Sequence, residues 1–446
     1  MAHAIYTAHV PAPPAAVWAW HAAESAFLRL GPPWIPMRLI RREGGLLAGA
    51  VTEFEVTRAG VTLRWLAKHV EGTEGRSFVD EQAQGPFSAW RHEHRFLAEG
   101  DGTRLEDEVT WQMPTGTAWA SAWMQPDIDA MFRWRHHRTI ADLARFAPYA
   151  GLPPLTVGIT GASGLVGQEL TSFLVAGGHR VVAIRRDGST PIAGLDAVVN
   201  LAGESIADGR WNDAKKHAIT ESRVALTRRL CEQIAASPER PTVLVSGSAV
   251  GFYGDRGDAL CPEDAGRGEG FLADTCAAWE AATAPAAAAG VRVVHLRTGI
   301  VLSPKGGWLS ALLPLVRAGV AGPAGDGNQW MPWIDLDDLV GMIHHALRDP
   351  AVSGPMNGVA PEPLTNRALM RCLGHVLRRP TVLPTPGFVL SLALGGEKAQ
   401  ELVLSGQRAV PGTALSTGFR FVSPEAGPAL RMMLGVSPEE TPDVSG

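Results

Sequence analysis

The sequence predicts two domains of different fold class, an α+β domain over residues 1–148 and, from residue 155, an α/β domain with a doubly wound parallel sheet. Three observations support this division. At 446 residues the chain is long for one domain and sufficient for two, each with its own core. Nine of the 14 tryptophans precede residue 150, so the N-terminal third differs in composition from the rest. The stretch APYAGLPPL at 147–155 has the proline and glycine content of a linker.

Composition excludes several classes of partner. With a net charge of -5 and no block of Lys and Arg, the chain is not predicted to bind nucleic acid or a membrane surface. Its apolar stretches are interrupted well before the roughly 20 residues of a membrane helix. Four scattered cysteines without ligand spacing, and no recognisable export segment, predict a cytoplasmic protein.

The first domain alternates apolar and polar residues in a series of predicted strands. They lie at 4–10, 50–56, 61–70, 88–97 and 103–111, with a proline-rich helix start after the first and a long helical pattern over 118–146 at the end. This is the element order of a helix-grip fold. Together with the stretch Trp90-Arg91-His92-Glu93-His94, the order resembles the START-like, polyketide-cyclase-like (SRPBCC) superfamily, which implies a pocket for a small hydrophobic ligand.

Two features of this domain keep simpler interpretations open. The aromatic residues could fill a core rather than line a cavity, because Trp and Phe dominate cores generally. His92 and His94 alternate onto one strand face and are interpreted as polar residues of a cavity or a surface. No metal site is predicted, because no further ligands are identifiable.

The second domain opens with a glycine-rich loop in the sequence LTVGITGASGLVGQEL, residues 155–170. Gly161, Gly164 and Gly167 follow a predicted strand and precede a helical pattern, which is the context of a dinucleotide-binding loop. Gly161 would permit the tight turn, Gly164 the approach of a pyrophosphate, and Gly167 close packing of helix on strand, with the helix N-terminus facing the anion.

The next strand, RVVAI at 180–184, ends in Arg185 and Arg186, where an acidic residue would bind the ribose 2′-hydroxyl of NAD. Two guanidinium groups suit a 2′-phosphate instead, so NADP is the predicted cofactor. The alternative is that both arginines are merely solvated. Further strands end in small polar loops at 196–203, 242–254 and 291–304, which predicts ligand contacts at the carboxyl edge of the sheet.

These motifs are similar to the extended short-chain dehydrogenase/reductases. The segments NLAGESIADGRW, SGSAVGFYG, FLADTCAAWE, LRTGIVLSPKGG, QWMPWIDLDDL, NGVAPEP and LSGQRAVP resemble, in order, an epimerase-like family of atypical NADP-binding members. The resemblance implies a Rossmann domain over 155–390 and a small C-terminal domain over 391–441 that packs on it. The predicted cofactor-binding residues are Gly161, Ser163, Gly164, Leu165, Val166, Gly167, Arg185, Arg186, Leu201, Ala202, Gly203 and Arg297.

The sequence departs from that superfamily at its acid–base pair. Leu272 and Cys276 stand where the Tyr-x-x-x-Lys pair is expected, although Ser248 corresponds to the superfamily's catalytic serine. We therefore predict a rebuilt relay of Ser248, Tyr253 and Glu204, in which a partly desolvated Glu204 with a raised pKa acts as an acid. The favoured function is an NADP-dependent oxidoreductase or nucleotide-sugar-epimerase-like protein acting on a small molecule. The alternative is a non-catalytic sensor or carrier that binds NADPH and a hydrophobic ligand.

Overall fold

The computed structural model describes residues 1–58, 60–116 and 120–437, and of residues 120–123 only the backbone. Contacts divide the chain into two units. The N-terminal unit comprises Met1–Pro153 with Ser172–His179 and the chain from Arg431, and the α/β unit comprises Pro154–Thr171 and Arg180–Leu430. The domain limits at 148, 155 and 390 stay predictions, and residues 438–441 of the third predicted domain lie outside the described residues.

The N-terminal unit is built on one antiparallel sheet of seven strands in the order β1-β7-β6-β5-β4-β3-β2. Its elements are β1 (Ala2–Val10), α1 (Pro14–Ala22), α2 (Ala26–Leu30), β2 (Met37–Glu43), β3 (Val51–Arg58), β4 (Val61–Thr73), β5 (Ser77–Gln84), β6 (Ala89–Glu99), β7 (Gly102–Gln112) and the long α3 (Ala120–Phe146). The predicted α+β class and the long final helix are confirmed, although the first two residues predicted for that helix lie outside the described residues. Strands β2 and β5 were not predicted, because their apolar and charged residues do not alternate regularly.

The alternation of strand side chains produces one buried face in this sheet. Along β6 every second residue is buried, including Trp90, His92, His94 and Phe96. Trp111 of β7 and Phe132 of α3 are fully buried in a cluster that contains Trp90. Part of the aromatic content is therefore core, as the simpler interpretation held.

The α/β unit contains a parallel sheet of six strands in the order β17-β13-β11-β10-β8-β9. The strands of this sheet are β8 (Thr156–Thr160), β9 (Arg180–Ala183), β10 (Ala197–Asn200), β11 (Val243–Ala249), β13 (Arg292–Thr298) and β17 (Gly354–Gly358). Chain order reverses between β8 and β10, so the sheet is doubly wound and has a switch point at which ligands of such folds bind. The predicted α/β class is confirmed.

Helices and short strands complete the chain. The helices are α4 (Leu165–Ala176), α5 (Asp213–Ala236), α6 (Phe271–Ala281), α7 (Ala284–Ala288), α8 (Gly307–Arg317), α9 (Leu336–Arg348), α10 (Asn366–Leu377), α11 (Gly387–Leu394), α12 (Gly396–Ala399), α13 (Gly412–Ser416) and α14 (Ala426–Leu434). The short strands are β12 (Leu260–Cys261), β14 (Ile300–Leu302), β15 (Trp330–Met331), β16 (Trp333–Asp335), β18 (Leu364–Thr365) and β19 (Arg408–Ala409). Strand β19 lies in the predicted C-terminal domain, 391–441, and pairs with β12. Backbone hydrogen bonds therefore join this part of the chain to the α/β unit. None of the described helices combines the length and apolar character that crossing a bilayer requires.

Candidate functional site

The glycine loop between β8 and α4 is shaped by close backbone contacts. Gly161 has a φ of +69°, and a Cβ there would lie 2.9 Å from the Leu201 carbonyl. A Cβ on Gly167 would lie 2.2 Å from the Gly161 oxygen, whereas one on Gly164 would meet only that oxygen, at 3.3 Å. Gly161 and Gly167 are thus required by packing. Gly164 is exposed, so its missing side chain leaves room for a ligand at the N-terminus of α4.

A buried hydrogen-bond network ties this loop to the end of β10. The Thr160 hydroxyl donates to Asn200 Oδ1 at 2.7 Å and accepts from the amides of Leu201 and Ala202. Asn200 in turn donates to Thr227 at 2.7 Å. The Leu201 and Ala202 amides therefore face Thr160, so any contact of these two residues with a cofactor uses other atoms. Sequence reasoning missed Thr160 and Asn200. Both residues end parallel strands, and since such strand ends meet at one edge of the sheet, this rule could have identified them.

A small cavity of about 90 Å³ lies beside the switch point, where the adenosine half of a dinucleotide would extend. Ile184, Leu226 and Leu230 supply apolar walls, and Arg185, Arg186 and Arg229 supply positive charge. Arg229 of α5 was not predicted, because only tertiary packing brings it to the end of β9.

Asp187 distinguishes the two predicted arginines. Its carboxylate accepts from the Ser189 hydroxyl and amide and from Arg185 Nε at 3.1 Å. The Ser189 hydrogen bonds, with help from Arg185, lower the pKa of Asp187 to about 2. The charge of Arg185 is thus already compensated, whereas no ion pair of Arg186 occurs among the described residues. The guanidinium of Arg186 is the one left to meet a phosphate.

Ser248, at the end of β11, belongs to a buried charged network. Its hydroxyl donates to Glu280 Oε1 at 2.7 Å. Arg297 of β13 donates to both oxygens of Glu280, at 2.8 and 3.0 Å. Arg297 is 4% exposed and also donates to Tyr253 and to the Glu263 carbonyl. The guanidinium of Arg297 is therefore engaged by Glu280, a residue that sequence reasoning missed, and the role of Arg297 in cofactor binding stays a prediction.

Tyr253 lies beneath the sheet edge rather than at a ligand surface. The residue is 0% exposed, and its hydroxyl donates to Asn357 Oδ1 at 2.7 Å while accepting from Arg297 at 3.0 Å. Burial raises the pKa of Tyr253, against the effect of Arg297. The structure thus links Tyr253 to Ser248 only indirectly, through Arg297 and Glu280.

Glu204 lies in a different environment from the other two predicted relay residues. Its side chain is 46% exposed and accepts from Lys215 Nζ at 2.8 Å. That hydrogen bond lowers the pKa of Glu204. The expectation of a desolvated carboxyl with a raised pKa is wrong, because Lys215 of α5 approaches the loop after β10, a contact that no local sequence pattern indicates.

The positions of the missing acid–base pair lie on α6, next to the loop that follows β11. A Cβ on Gly251 would lie 3.2 Å from Leu272 Cβ. Cys276 is buried within hydrogen-bonding reach of Ser248, and burial raises the pKa of its thiol to about 11. Glu401 accepts from the Phe271 and Leu272 amides at 2.9 and 2.8 Å and so caps α6. The helix is held in place, but it presents an apolar side chain and a neutral thiol.

The N-terminal unit contains a cavity of about 330 Å³ between its sheet and helices. Most of the lining is apolar, and its aromatic members include Phe27, Phe54, Trp65 and Phe78. The predicted pocket is therefore present in the described residues. His92 and His94 line it as buried residues, which selects the cavity over the surface interpretation.

A third polar residue joins these histidines on the cavity wall. One ligand atom from each of Asp80, His92 and His94 lies within 4.8 Å of the others. Sequence reasoning predicted no metal site because it identified no third ligand. Asp80 supplies one from β5, a strand that the sequence pattern did not reveal.

The doubly wound sheet with a glycine loop at its switch point defines a dinucleotide-binding Rossmann protein. The chain belongs to the NAD-dependent epimerase/dehydratase family, and the sequence model of that family matches residues 157–357. Two further family models match the chain. The model of a domain of unknown function matches residues 385–433, and the model of the family described as polyketide cyclase / dehydrase and lipid transport matches residues 10–143. Both resemblances inferred from the sequence are confirmed.

Known proteins share one or both units. An epimerase family protein of Mycobacterium bovis is 40% identical over 291 residues, which cover 61% of this chain and 96% of that protein. The structure of a nucleoside-diphosphate sugar epimerase from Corynebacterium glutamicum matches with a TM-score of 0.77 at 35% identity, covering 97% of this chain and 90% of that one. The human epimerase family protein SDR39U1, crystallised with NADPH, matches with a TM-score of 0.60 at 33% identity, covering 63% of this chain and 99% of that one.

Proposed function

We propose that the α/β unit binds NADP(H) at the switch point of its sheet. Support comes from the fit of the site: Gly161 and Gly167 close the loop, Gly164 leaves its outer side open, and the N-terminus of α4 faces that space. Arg186 and Arg229 add positive charge at the end where a 2′-phosphate would lie. The human relative crystallised with NADPH is consistent with this assignment. When bound, NADPH supplies a transferable hydride.

Replacement of Arg186 tests the choice of cofactor. A charged hydrogen bond to a phosphate is worth about 1.5–3 kcal/mol, so Arg186→Ala should weaken NADPH binding by roughly one to two orders of magnitude. NADH, which lacks the 2′-phosphate, should bind almost unchanged. Calorimetric titration with both dinucleotides measures the two affinities.

Arg185→Ala is the matched control, because Arg185 already pairs with Asp187. Its loss should change NADPH affinity several-fold less than the loss of Arg186. Equal losses of NADPH and NADH affinity in Arg186→Ala would show that this residue acts on the fold of the site rather than on the phosphate.

We propose further that the N-terminal cavity binds a small apolar molecule. Its volume of about 330 Å³ and its aromatic lining support this role. Ala67 is a small buried residue of β4 on the cavity wall, and the neighbouring Lys68 is exposed. Ala67→Trp should therefore fill the space and abolish binding of an apolar fluorescent dye, whereas Lys68→Trp should leave it unchanged. Undiminished dye binding by Ala67→Trp would exclude the cavity as the binding site.

The function that the geometry supports best is binding of NADP(H) and an apolar ligand without the superfamily's acid–base chemistry. The observation that carries this conclusion is that Leu272 and Cys276 stand at the proton-transfer positions while the Tyr253 hydroxyl is buried and engaged by Asn357. A neutral thiol with a pKa of about 11 is poorly matched to proton transfer near neutral pH. This reverses the preference for an enzyme drawn from the sequence.

A scan for NADPH oxidation by the intact chain tests that conclusion. Carbonyl compounds and nucleoside-diphosphate sugars are the substrates to offer, since the Corynebacterium glutamicum relative is named for the latter. Binding without turnover is the expected result. Turnover of NADPH with any of these substrates would contradict the conclusion, and its loss in Ser248→Ala or in Cys276→Ala would show which residue it depends on.

One observation favours a second candidate, an oxidoreductase that uses Ser248 as its hydrogen-bonding group. The Ser248 hydroxyl lies at the carboxyl end of β11 and is oriented by Glu280. If this candidate is correct, Ser248→Ala should lose about 10²- to 10⁴-fold in turnover while it still binds NADPH.

A further inference from the structure

The cavity of the N-terminal unit has one strongly polar wall, formed by neighbouring strands. Asp80 of β5 pairs directly with His92 of β6, and His94 of β6 pairs directly with Asp107 of β7. Directly paired residues of an antiparallel sheet point to the same face. The strand register therefore places two carboxylates on either side of two imidazoles, on the face that lines the cavity.

The spacing of these groups differs from that of ordinary hydrogen bonds. Asp80 Oδ2 lies 3.4 Å from His92 Nδ1 and 3.6 Å from His94 Nε2. Hydrogen bonds between nitrogen and oxygen usually span about 2.7–3.2 Å. In contrast, ligand atoms about 2.0–2.1 Å from a tetrahedral metal ion lie about 3.3–3.5 Å apart. The two distances from Asp80 are thus close to those between corners of a tetrahedral site, and the three ligand atoms all lie within 4.8 Å of one another.

Asp107 contacts the opposite side of both imidazoles. Its Oδ1 lies 2.9 Å from His92 Nε2 and 2.7 Å from His94 Nδ1. The contact with His94 does not have the geometry of a hydrogen bond. Its Oδ2 lies 2.6 Å from Nε2 of His136 on α3. Asp107 is 2% exposed, so these imidazoles are its partners in place of water. A carboxylate behind a histidine fixes which ring nitrogen carries the proton and is the usual support of a metal-binding histidine.

This support leaves acceptor atoms facing one another. With the proton of His92 on Nε2, which hydrogen-bonds Asp107 at 2.9 Å, the lone pair of His92 Nδ1 faces Asp80 Oδ2. In that protonation state Asp80 Oδ2 and His92 Nδ1 are two acceptors 3.4 Å apart that repel one another. A cation bound by these two atoms and by His94 Nε2 removes that repulsion.

We propose that Asp80, His92 and His94 bind a divalent transition-metal ion, with Zn²⁺ as the ion that best suits two imidazoles and one carboxylate at this spacing. Three protein ligands leave the fourth position open towards the cavity. A ligand of the cavity would therefore be an apolar molecule with an oxygen donor, such as a carboxylate, a hydroxyl or a carbonyl group. This metal site is independent of the proposed NADP(H) site, which lies in the other unit.

Metal titration of the full chain tests the proposal. The protein is freed of any affinity tag and of bound metal with a chelator, then titrated with zinc chloride and, for its visible absorption, with cobalt chloride. We expect one equivalent of Zn²⁺ per chain and a Co²⁺ spectrum of low-symmetry, four-coordinate character. Asp107→Asn should weaken Zn²⁺ binding by about 10- to 100-fold, the usual effect of losing a supporting carboxylate. Asp80→Asn and His94→Gln should weaken it more.

His69→Gln is the matched control. His69 is a buried histidine of the same cavity, but its Nδ1 bonds the Leu46 carbonyl and the residue lies outside the three-ligand group. It should bind Zn²⁺ as the unmodified chain does. Near-ultraviolet circular dichroism checks that each variant is folded. If a variant is not folded, the proposal is judged on the Zn²⁺ stoichiometry and the Co²⁺ absorption of the unmodified chain. Absence of stoichiometric Zn²⁺ binding, or binding that Asp80→Asn and His94→Gln leave unchanged, would overturn the proposal.

Discussion

Gly167→Ala should strongly weaken NADPH binding. The new Cβ would lie 2.2 Å from the Gly161 oxygen and 2.8 Å from Ala162 Cα, and both are backbone atoms that cannot move independently. Overpacking of this kind costs about 1–3 kcal/mol or more, so we expect a loss of affinity of roughly 100-fold. Calorimetric or fluorescence titration with NADPH measures it, alongside the midpoint of thermal unfolding.

Gly164→Ala separates packing from ligand contact in the same loop. Its Cβ would meet only the Gly161 oxygen at 3.3 Å, so the stability of the α/β unit should be almost unchanged. NADPH affinity should nevertheless fall, because the methyl group occupies the space at the N-terminus of α4. If Gly164→Ala binds NADPH normally, the dinucleotide does not approach this loop.

Asp142→Ala should destabilise the N-terminal unit by about 3–5 kcal/mol, the usual cost of leaving a buried charge without its partner. Asp142 of α3 receives two hydrogen bonds from Arg29 of α2, at 2.8 and 2.5 Å, and both side chains are 0% exposed. Arg138 and Arg145 also lie 3.9 Å from its carboxylate. Removal of this carboxylate would take away the hydrogen-bond acceptor of the buried Arg29 and the negative charge beside Arg138 and Arg145. Urea unfolding followed by tryptophan fluorescence reports mainly on this unit, because nine of the 14 tryptophans precede residue 150.

Arg38→Ala provides the surface comparison for this ion pair. Arg38 bonds Glu55 at 2.8 Å, but its side chain is 72% exposed, and exposed pairs contribute about 0–1 kcal/mol. A change in unfolding free energy for Asp142→Ala no larger than that for Arg38→Ala would show that the buried pair does not hold α2 to α3.

The glycine loop was predictable because its signal is local. Gly161, Gly164 and Gly167 are set by one turn, and the strand before and helix after them are readable from hydrophobic periodicity. The roles predicted for Glu204, as a catalytic acid, and for Arg297, as a cofactor-binding residue, depended instead on which elements approach one another. Glu204 meets Lys215, and Arg297 meets Glu280, through packing of α5 and α6 that no pattern in the sequence specifies.

The polar wall of the cavity in the N-terminal unit was likewise only partly predictable from the sequence. The spacing of His92 and His94 placed both on one face of β6, as observed. The third member, Asp80, is brought beside them by the pairing of β5 with β6. Strand pairing is a long-range property, so a two-residue period can predict a face but not the residues that stand opposite.

Whether the α/β unit is a selective NADP(H) site is decided by titration of the intact chain with NADPH and NADH. We expect saturable binding of one NADPH per chain, at least about tenfold tighter than binding of NADH because of the charged contact to the 2′-phosphate. Equal affinities for the two dinucleotides, or no saturable binding of NADPH by the folded chain, would contradict it.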